Sequence, residues 1–369
     1  MIPERGGAAR PCWALRHVYD RPIGPVRGNG QNGSVITRPS PAALVAAAVA
    51  SLATPAAVAA HGAVPAEQPT AATLVLGWSV EPLVALPLAA AVAGWLTLVR
   101  RVNRAHPTNP VPRRRTAAFL GGLAAIAIAL LSGIGRYDTA LFSVHMVQHV
   151  LLAFVAAPLI VLSAPITLIL RAAGPADRRR WILPALHSRL VRVLAFPVVA
   201  WLAFAGVMWA THFSPLFDAA LEDPLLHDLE HGLFLGSALL FWWPALGLDP
   251  TPWRMVPPVR ALYVFLQMPQ NTFLSVALLG APAALYPHYA TLARAWGPDP
   301  LRDQQIAAGI MWLVGDVAFL AAVIGLVWVW MRDDARDSVR ADRRADAARA
   351  AIREREARLA ERLSREEGR

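Results

Sequence analysis

The sequence has very little thiol and little charge for its length. Cys12 is the only cysteine among 369 residues, which excludes a disulfide framework and a metal site built from several thiolates. Charged residues make up 16% of the chain, whereas they make up about a quarter of a soluble domain. Together with 56% hydrophobic residues and a mean hydropathy of +0.42, this composition predicts an all-α polytopic membrane protein.

The charges that are present are unevenly distributed. The segment 332–369 holds 12 arginines and 10 acidic residues. The formal net charge of +10 does not indicate a nucleic-acid partner, because most other arginines lie in connections between apolar segments, where they set orientation in a lipid bilayer. The sequence therefore predicts the bilayer as a partner and no nucleic acid.

The segment 1–60 is predicted to be a leader. Arg38 precedes a short Ala/Val/Leu-rich stretch that ends in small residues before His61, which is the pattern of a secretory signal. On this interpretation the segment is absent from the mature protein, and translation starts later than Met1. The alternative is an ordinary first transmembrane helix.

Seven further apolar segments are long enough to cross a bilayer, which takes about 20 helical residues. We expect them near 78–99, 116–135, 140–162, 193–212, 226–247, 259–282 and 305–331, within a membrane domain at 61–331.

Arginine in the connections predicts the orientation of these segments. Loops 100–115 and 171–192 hold six arginines each, whereas 213–225 holds three acidic residues and no base. Arginine-rich loops favour the cytoplasmic side. The sequence thus predicts a multi-pass protein of the cell membrane, with the mature N-terminus outside and the C-terminus inside.

The segment 332–369 is predicted to be a charged cytoplasmic helix or tail. Both charge signs alternate densely, as on a solvated helix with i,i+4 pairs. Ile352, Leu359 and Leu363 form a thin apolar seam for a partner on one interpretation, and an exposed helix or disorder is the alternative.

Two histidine pairs stand inside the apolar segments. His145 and His149 lie in "HMVQH", and His227 and His231 lie in "HDLEH". A spacing of four places both imidazoles of a pair on one helix face. Ionisable side chains are costly inside a membrane and usually have a function there. The predicted orientation places both pairs, with His212, at the outer side.

The residue types favour copper as the ligand. Imidazole suits several transition metals, and thioether sulfur suits Cu(I). Met146 adjoins the first pair and Met208 lies one turn before His212, although methionine is also common in packing. We therefore expect a metal site with ligands His145, His149, His227, His231, His212, Met146 and Met208, with Asp228 and Glu230 orienting the imidazoles.

Other polar residues leave two interpretations open. His288 is a further outer histidine, and His61 would chelate Cu(II) if cleavage exposed it as the amino terminus. Asp303, Gln304 and Gln305 cap or line the outer end of the last helix. Asp316 is either functional or a local hydrogen-bonding group, and Gln267, Gln270 and Asn271 either line a passage or bridge helices.

Three segments, in this order, resemble the CtaG family of cytochrome c oxidase assembly factors. They are "HMVQHVLLAFVAAPLIVLSAP", "HDLEHGLFLGSALLFWWPALG" and "DQQIAAGIMWLVGD". The resemblance covers roughly residues 75–331 and implies a multi-helix membrane protein without catalysis of its own. It implies a role in maturing the copper-containing oxidase, oxidase subunits as partners, and importance for the two histidine pairs.

Other functions fit parts of the same pattern. A haem-binding redox protein would use His149 and His231 as axial ligands from facing helices. A copper transporter would use Asp316 and the polar patch of the sixth segment as its path. "HDLEH" formally matches the H-x-x-E-H pattern of zinc peptidases, but no third ligand follows it. The sequence does not predict an oligomeric state or a metal stoichiometry.

Overall fold

Helices account for nearly all regular structure in the computed structural model, which describes residues 65–367. No strand occurs within this range, so the expected all-α fold is confirmed. The leader predicted at 1–60 lies outside the described residues, as does His61.

Seventeen α-helices follow one another between Ala71 and Glu367 in the described part of the chain. Their bounds are α1 Ala71–Leu76, α2 Pro82–Ala105, α3 Arg113–Leu131, α4 Gly133–Tyr137, α5 Phe142–Val150, α6 Ala157–Ser163, α7 Pro165–Ala172, α8 Pro175–Asp177, α9 Leu183–Leu186, α10 Arg189–Leu194, α11 Pro197–His212, α12 Pro215–Glu222, α13 Pro224–Leu246, α14 Pro257–Phe265, α15 Gln267–Leu279, α16 Pro287–Thr291 and α17 Pro300–Glu367. Two π-helical segments, Leu151–Ala156 and Arg178–Ile182, lie between them.

Five helical segments are long and apolar enough to cross a membrane, and a sixth is obtained when two bent helices count as one span. The five are Pro82–Ala105, Arg113–Tyr137, Phe142–Ala172, Pro257–Leu279 and Pro300–Arg358. The bent pair joins α11 to α12 at an angle of 71°.

Helix α13, the remaining segment expected to span, has 23 residues but does not meet the same test. Its first turns carry His227, Asp228, Glu230 and His231, which lower its mean hydropathy. The predicted number of seven spans is therefore not reached by length and apolarity alone.

Proline sets the start of most of the long helices. Pro82, Pro197, Pro215, Pro224 and Pro257 each occupy the first turn, where the missing N–H costs nothing and the fixed φ suits the helix. Helix α13 ends at Gly247 with a φ of 58°, the left-handed conformation that glycine adopts without strain.

The core lies between helices α5, α6, α11, α13, α14, α15 and α17. Helix α17 packs along α5, α14 and α15, and α13 packs along α6 and α11. The centre is aromatic and contains Phe204, Phe234, Phe241, Trp242 and Phe319. Helix α2 lies outside this core, with only Trp95 and Val102 buried.

The last span continues without a break into the charged segment. Helix α17 has 68 residues, a length of about 100 Å, and its side chains beyond Met331 are exposed wherever they are described. Ion pairs such as Arg340 with Asp337 link successive turns. Ile352 is exposed, and the side chains of Leu359 and Leu363 lie outside the described residues.

Candidate metal centre

Five histidines from three helices meet at one end of the bundle. His145 and His149 lie in the first two turns of α5, His227 and His231 in the first two turns of α13, and His212 ends α11. All five are at most 8% exposed. We call these five residues the histidine cluster.

The rings from the two pairs face one another across the helix interface. The ring centroids of His145 and His227 are 5.2 Å apart, and those of His149 and His231 are 6.0 Å apart. His149 and His212 have centroids 6.2 Å apart. Helices α5 and α13 therefore bring together imidazoles that are about 80 residues apart in sequence.

Glu230 lies inside the cluster rather than behind it. Its Oε2 is 3.7 Å from His145 Nε2, and its Oε1 is 3.9 Å from His149 Nε2. Neither carboxylate oxygen has a hydrogen-bond partner, and Nδ1 of both imidazoles also lacks one. Buried polar groups without partners are costly, and a bound cation would satisfy the two carboxylate oxygens. Asp228 on the same helix is exposed.

Asp138 and Gln148 complete the cluster on its other side. Asp138 Oδ2 lies 3.8 Å from His227 Nε2 and accepts a hydrogen bond from Gln148 Nε2 at 2.9 Å. Gln148 Oε1 lies 2.8 Å from His231 Nε2, so the amide joins the carboxylate to an imidazole. Partners of this kind fix the ring orientation of metal-binding histidines.

The ligand atoms form two overlapping groups. Asp138, His227 and His231 offer one atom each within 4.8 Å of one another, and so do His145, His227 and Glu230. Ligands about 2 Å from one ion lie about 3–4 Å apart, so small side-chain movements would complete either group. His227 belongs to both.

Burial changes the protonation of Asp138, which lies in the connection between α4 and α5. The low polarity of its surroundings raises the pKa of this carboxyl to about 7, and the hydrogen bond from Gln148 acts in the opposite direction. A cation placed beside the carboxylate would favour its charged form.

Two small cavities border the histidine cluster. The acidic cavity is lined by Glu81, Asp138 and Asp228 together with His227 and His231. The methionine cavity is lined by Met146, Met208 and Met311 together with His149 and His212. The predicted ligands Met146 and Met208 thus lie beside the cluster, next to a third methionine from α17.

His212 has its proton position fixed by the backbone. Its Nδ1 lies 2.7 Å from the carbonyl oxygen of Met208, which can only accept, so Nδ1 carries the hydrogen. The lone pair is then on Nε2, which is buried and has no partner.

The last helix positions the first histidine pair. Asp303 accepts hydrogen bonds from the backbone N–H groups of Phe142 and Ser143, at 2.7 and 3.3 Å. This carboxylate, expected to cap or line the outer end of its own helix, caps the N-terminus of α5 and ties it to α17. Gln304 donates to the carbonyl of Leu278, and Gln305 is only partly buried.

His288 has a structural role outside the histidine cluster. Its Nε2 lies 3.0 Å from the carbonyl oxygen of Thr139, and its backbone N–H donates to Asp218. Tyr289 donates from its hydroxyl to the carbonyl oxygen of Asp138 at 2.7 Å. The connection between α15 and α17 therefore holds the Asp138 turn in place.

The polar residues of the sixth segment bridge helices. Asp316 accepts from Asn271 Nδ2 at 3.1 Å and from the hydroxyl of Thr272 at 2.8 Å. Gln270 accepts a hydrogen bond from the indole of Trp209. The buried Gln267 belongs to the same helix, α15. These contacts support the local interpretation of Asp316.

The sequence matches the family described as "cytochrome c oxidase caa3 assembly factor" (Caa3_CtaG) over residues 93–333. This chain belongs to the CtaG family. The matched region contains all five residues of the histidine cluster, as well as Asp138 and Glu230. The resemblance seen in the three sequence segments is thereby confirmed.

This CtaG-family chain is also similar to three mycobacterial proteins, each described as uncharacterized. Those of Mycobacterium bovis and Mycobacterium tuberculosis are 31% identical over 291 residues, covering 76% of this chain and 43% of the relative. The protein of Mycobacterium leprae is 31% identical over 277 residues, covering 73% and 42%. The chain thus spans less than half the length of these relatives. No solved structure gives a significant match.

Proposed function

We propose that this assembly factor binds copper in the histidine cluster and passes it to a subunit of cytochrome c oxidase. The observation that carries the proposal is the convergence of five buried imidazoles and two carboxylates at one end of the bundle. Buried ionisable groups at this density are expensive in a membrane unless they serve a ligand. The copper is cargo, and no catalytic step is needed.

The donor types support copper over other ions. Residues 65–367, which the structure describes, contain no cysteine. Imidazoles bind Cu(I) and Cu(II), and neighbouring thioethers add affinity for Cu(I). Mixed donors also suit delivery, because ligands can be exchanged one at a time with those of the receiving subunit.

The arginine distribution supports an extracytoplasmic location. The arginine-rich segments 100–115 and 171–192 begin in the last turns of α2 and α7, and the histidine cluster lies at the other ends of the long helices, near 138–149 and 212–231. The positive-inside preference favours a cytoplasmic position for the arginine-rich segments. With α13 counted as a seventh span, the N-terminal end of α2 and the histidine cluster face outward, and the exposed part of α17 is cytoplasmic.

The space around the histidine cluster favours an ion over haem. The cavities bordering the cluster in the described part of the chain leave only about 10 and 20 Å³ open to the centre of a water-sized sphere, far below the range of about 300–1,000 Å³ for organic ligands. The Nε2 atoms of His145 and His149 are also 2.9 Å apart, a separation suited to one ion or one hydrogen bond.

Metal analysis of purified protein tests the proposal. A variant with alanine at His145, His149, His227 and His231 should lose nearly all bound copper after copper loading and desalting. The matched control carries alanine at His106 and His187, which are exposed and far from the cluster, and should retain it. Equal copper content in the cluster variant and the unmodified protein would overturn the proposed site.

Assembly of the oxidase provides the second measurement. Cells in which the four-histidine variant replaces the unmodified protein should lose most cytochrome c oxidase activity, while the His106/His187 variant supports normal activity. Full oxidase activity with a copper-free variant would show that the protein assists assembly without handling the metal.

A further inference from the structure

The methionine cavity has a composition unlike that of the rest of the site. Met146 comes from α5, Met208 from α11 and Met311 from α17, so three helices each contribute one thioether. The chain has seven methionines in all, and three of them line this one cavity. All three are at most 3% exposed.

Packing alone does not account for this arrangement. Methionine fills irregular gaps in cores, but a gap that it fills is no longer a cavity. Here about 10 Å³ remains open to the centre of a water-sized sphere, which is close to the space needed for one water or one ion. Native cores contain few such voids.

A buried nitrogen without a partner points to a ligand. His212 lines the cavity and is 2% exposed. Its proton is on Nδ1, which donates to the carbonyl oxygen of Met208, so the unpartnered Nε2 carries a lone pair. No hydrogen-bond donor satisfies this lone pair, and a metal ion would.

The cavity also carries no formal charge of its own. Its remaining lining is apolar, with Val150, Ala153, Phe154 and Phe234, whereas the acidic cavity has three carboxylates. Burying a charge costs less when the charge is smaller and its ligands are soft and polarizable. A neutral site with thioether and imidazole donors therefore suits a monovalent soft ion.

We infer that the methionine cavity is a second metal subsite, selective for Cu(I) over divalent ions. Met146, Met208 and Met311 supply the sulfur donors, and His212 supplies the nitrogen through Nε2. Asp138 and Glu230, with the histidines grouped with them, then form the subsite for divalent ions. His149 lines the methionine cavity and also lies beside Glu230, so it adjoins both. This inference rests on the proposed function and assigns an ion preference to each part of the site.

Binding of Ag(I) and Zn(II) by the purified protein tests the inference, because Ag(I) is a redox-stable soft monovalent ion and Zn(II) is divalent. Changing Met146, Met208 and Met311 to leucine keeps the side-chain volume and removes the sulfur. This variant should bind Ag(I) at least tenfold more weakly and bind Zn(II) within about threefold of the unmodified protein. The matched control changes Met255, Met268 and Met331, which lie outside the cavity, to leucine. Its affinities for Ag(I) and Zn(II) should equal those of the unmodified protein.

The copper X-ray absorption spectrum of protein loaded with Cu(I) gives an independent readout. Sulfur scattering should be present in the unmodified protein and in the control variant, and absent from the variant without the three cavity methionines. Thermal unfolding of both variants should be similar, which separates loss of a ligand from loss of the fold.

Several outcomes would overturn the inference. An equal loss of Ag(I) and Zn(II) affinity in the cavity variant would show a structural role for the methionines. An unchanged Ag(I) affinity, or copper without sulfur scattering in the unmodified protein, would exclude the thioether subsite. Because the histidine cluster would still bind copper in these cases, the proposed function would stand; absence of all copper binding would overturn both.

Discussion

The acidic cavity and the methionine cavity border different members of the histidine cluster, His227 and His231 in the first and His149 and His212 in the second, and offer a metal ion opposite surroundings. The acidic cavity includes the exposed Asp228 and the partly buried Glu81, with the buried Asp138 behind them. The methionine cavity is buried and has sulfur in place of carboxylate. Carboxylates therefore accompany His227 and His231, whereas thioethers accompany His149 and His212. The donors available to an ion differ between the two cavities because different helices meet at each.

The largest expected effect comes from removing the carboxylates. Changing Asp138 to asparagine and Glu230 to glutamine should lower the Zn(II) affinity at least about 100-fold, because changes outside the ligand shell alone cost about 10–100-fold. The Ag(I) affinity should stay within a few-fold. Isothermal titration of the purified protein measures both, with Glu222→Gln, an exposed carboxylate on α12, as the control. An equal loss of Ag(I) affinity would show that the two cavities do not differ in ion preference.

A somewhat smaller effect is expected at Gln148, which joins Asp138 to His231 by two hydrogen bonds. Gln148→Leu should weaken Zn(II) binding about 10–100-fold by releasing both partners. The same titration checks it, with Gln68→Leu at an exposed position as the control. Unchanged Zn(II) binding would mean that the amide does not orient the ligands.

Asp303 should affect both cavities alike, because it positions α5 as a whole. Asp303→Asn weakens two charge-assisted hydrogen bonds to the start of α5, and we expect the free energy of unfolding to fall by about 1–3 kcal/mol. The affinities for Ag(I) and Zn(II) should both fall a few-fold, by about the same factor. Thermal unfolding and titration provide the measurements.

The control for this prediction is Asp299→Ala, which removes a cap on the exposed start of α17. It should lower the stability by only about 1 kcal/mol and leave both ion affinities unchanged. A loss of affinity for one ion alone in the Asp303 variant would assign that residue to a single cavity.

The smallest effect on metal binding is expected at Asp316. Its hydrogen bonds to Asn271 and Thr272 hold α15 against α17, and Asp316 lines neither cavity. Asp316→Asn should lower the thermal unfolding midpoint slightly and change neither affinity, and copper uptake into sealed vesicles should be unaffected. A clear decrease in vesicle uptake would instead support a transport path through this residue.

Much of the site was predictable because helix geometry is local. The spacing of His145 and His149, and that of His227 and His231, places each pair on one face in any helix. Sequence reasoning underestimated Glu230, which it placed behind the imidazoles as an orienting group. Glu230 lies three residues after His227, so helix geometry places both side chains on the same face of α13. The position of Glu230 next to His145 and His149 depends on how α5 and α13 pack.

Asp138 and Gln148 were missed for a related reason. Asp138 is a single charge in the short connection between α4 and α5, and Gln148 carries no signal apart from standing next to His149. The π-helical segment Leu151–Ala156 begins directly after α5 and follows from no propensity rule, although such segments often occur near functional sites. Asp303 was expected to cap or line its own helix, and its bonds to α5 connect positions 160 and 161 residues apart.

Composition, helical periodicity and short segments are enough to establish the all-α membrane fold, the spacing within each histidine pair and the family. Helix packing establishes which carboxylates join the imidazoles and brings Met311 to Met146 and Met208. It also brings Asp303 to the start of a different helix. These contacts depend on how far apart the packed helices lie and how each is rotated about its axis. Many residues far apart in the chain contribute to both quantities, so no short segment predicts them.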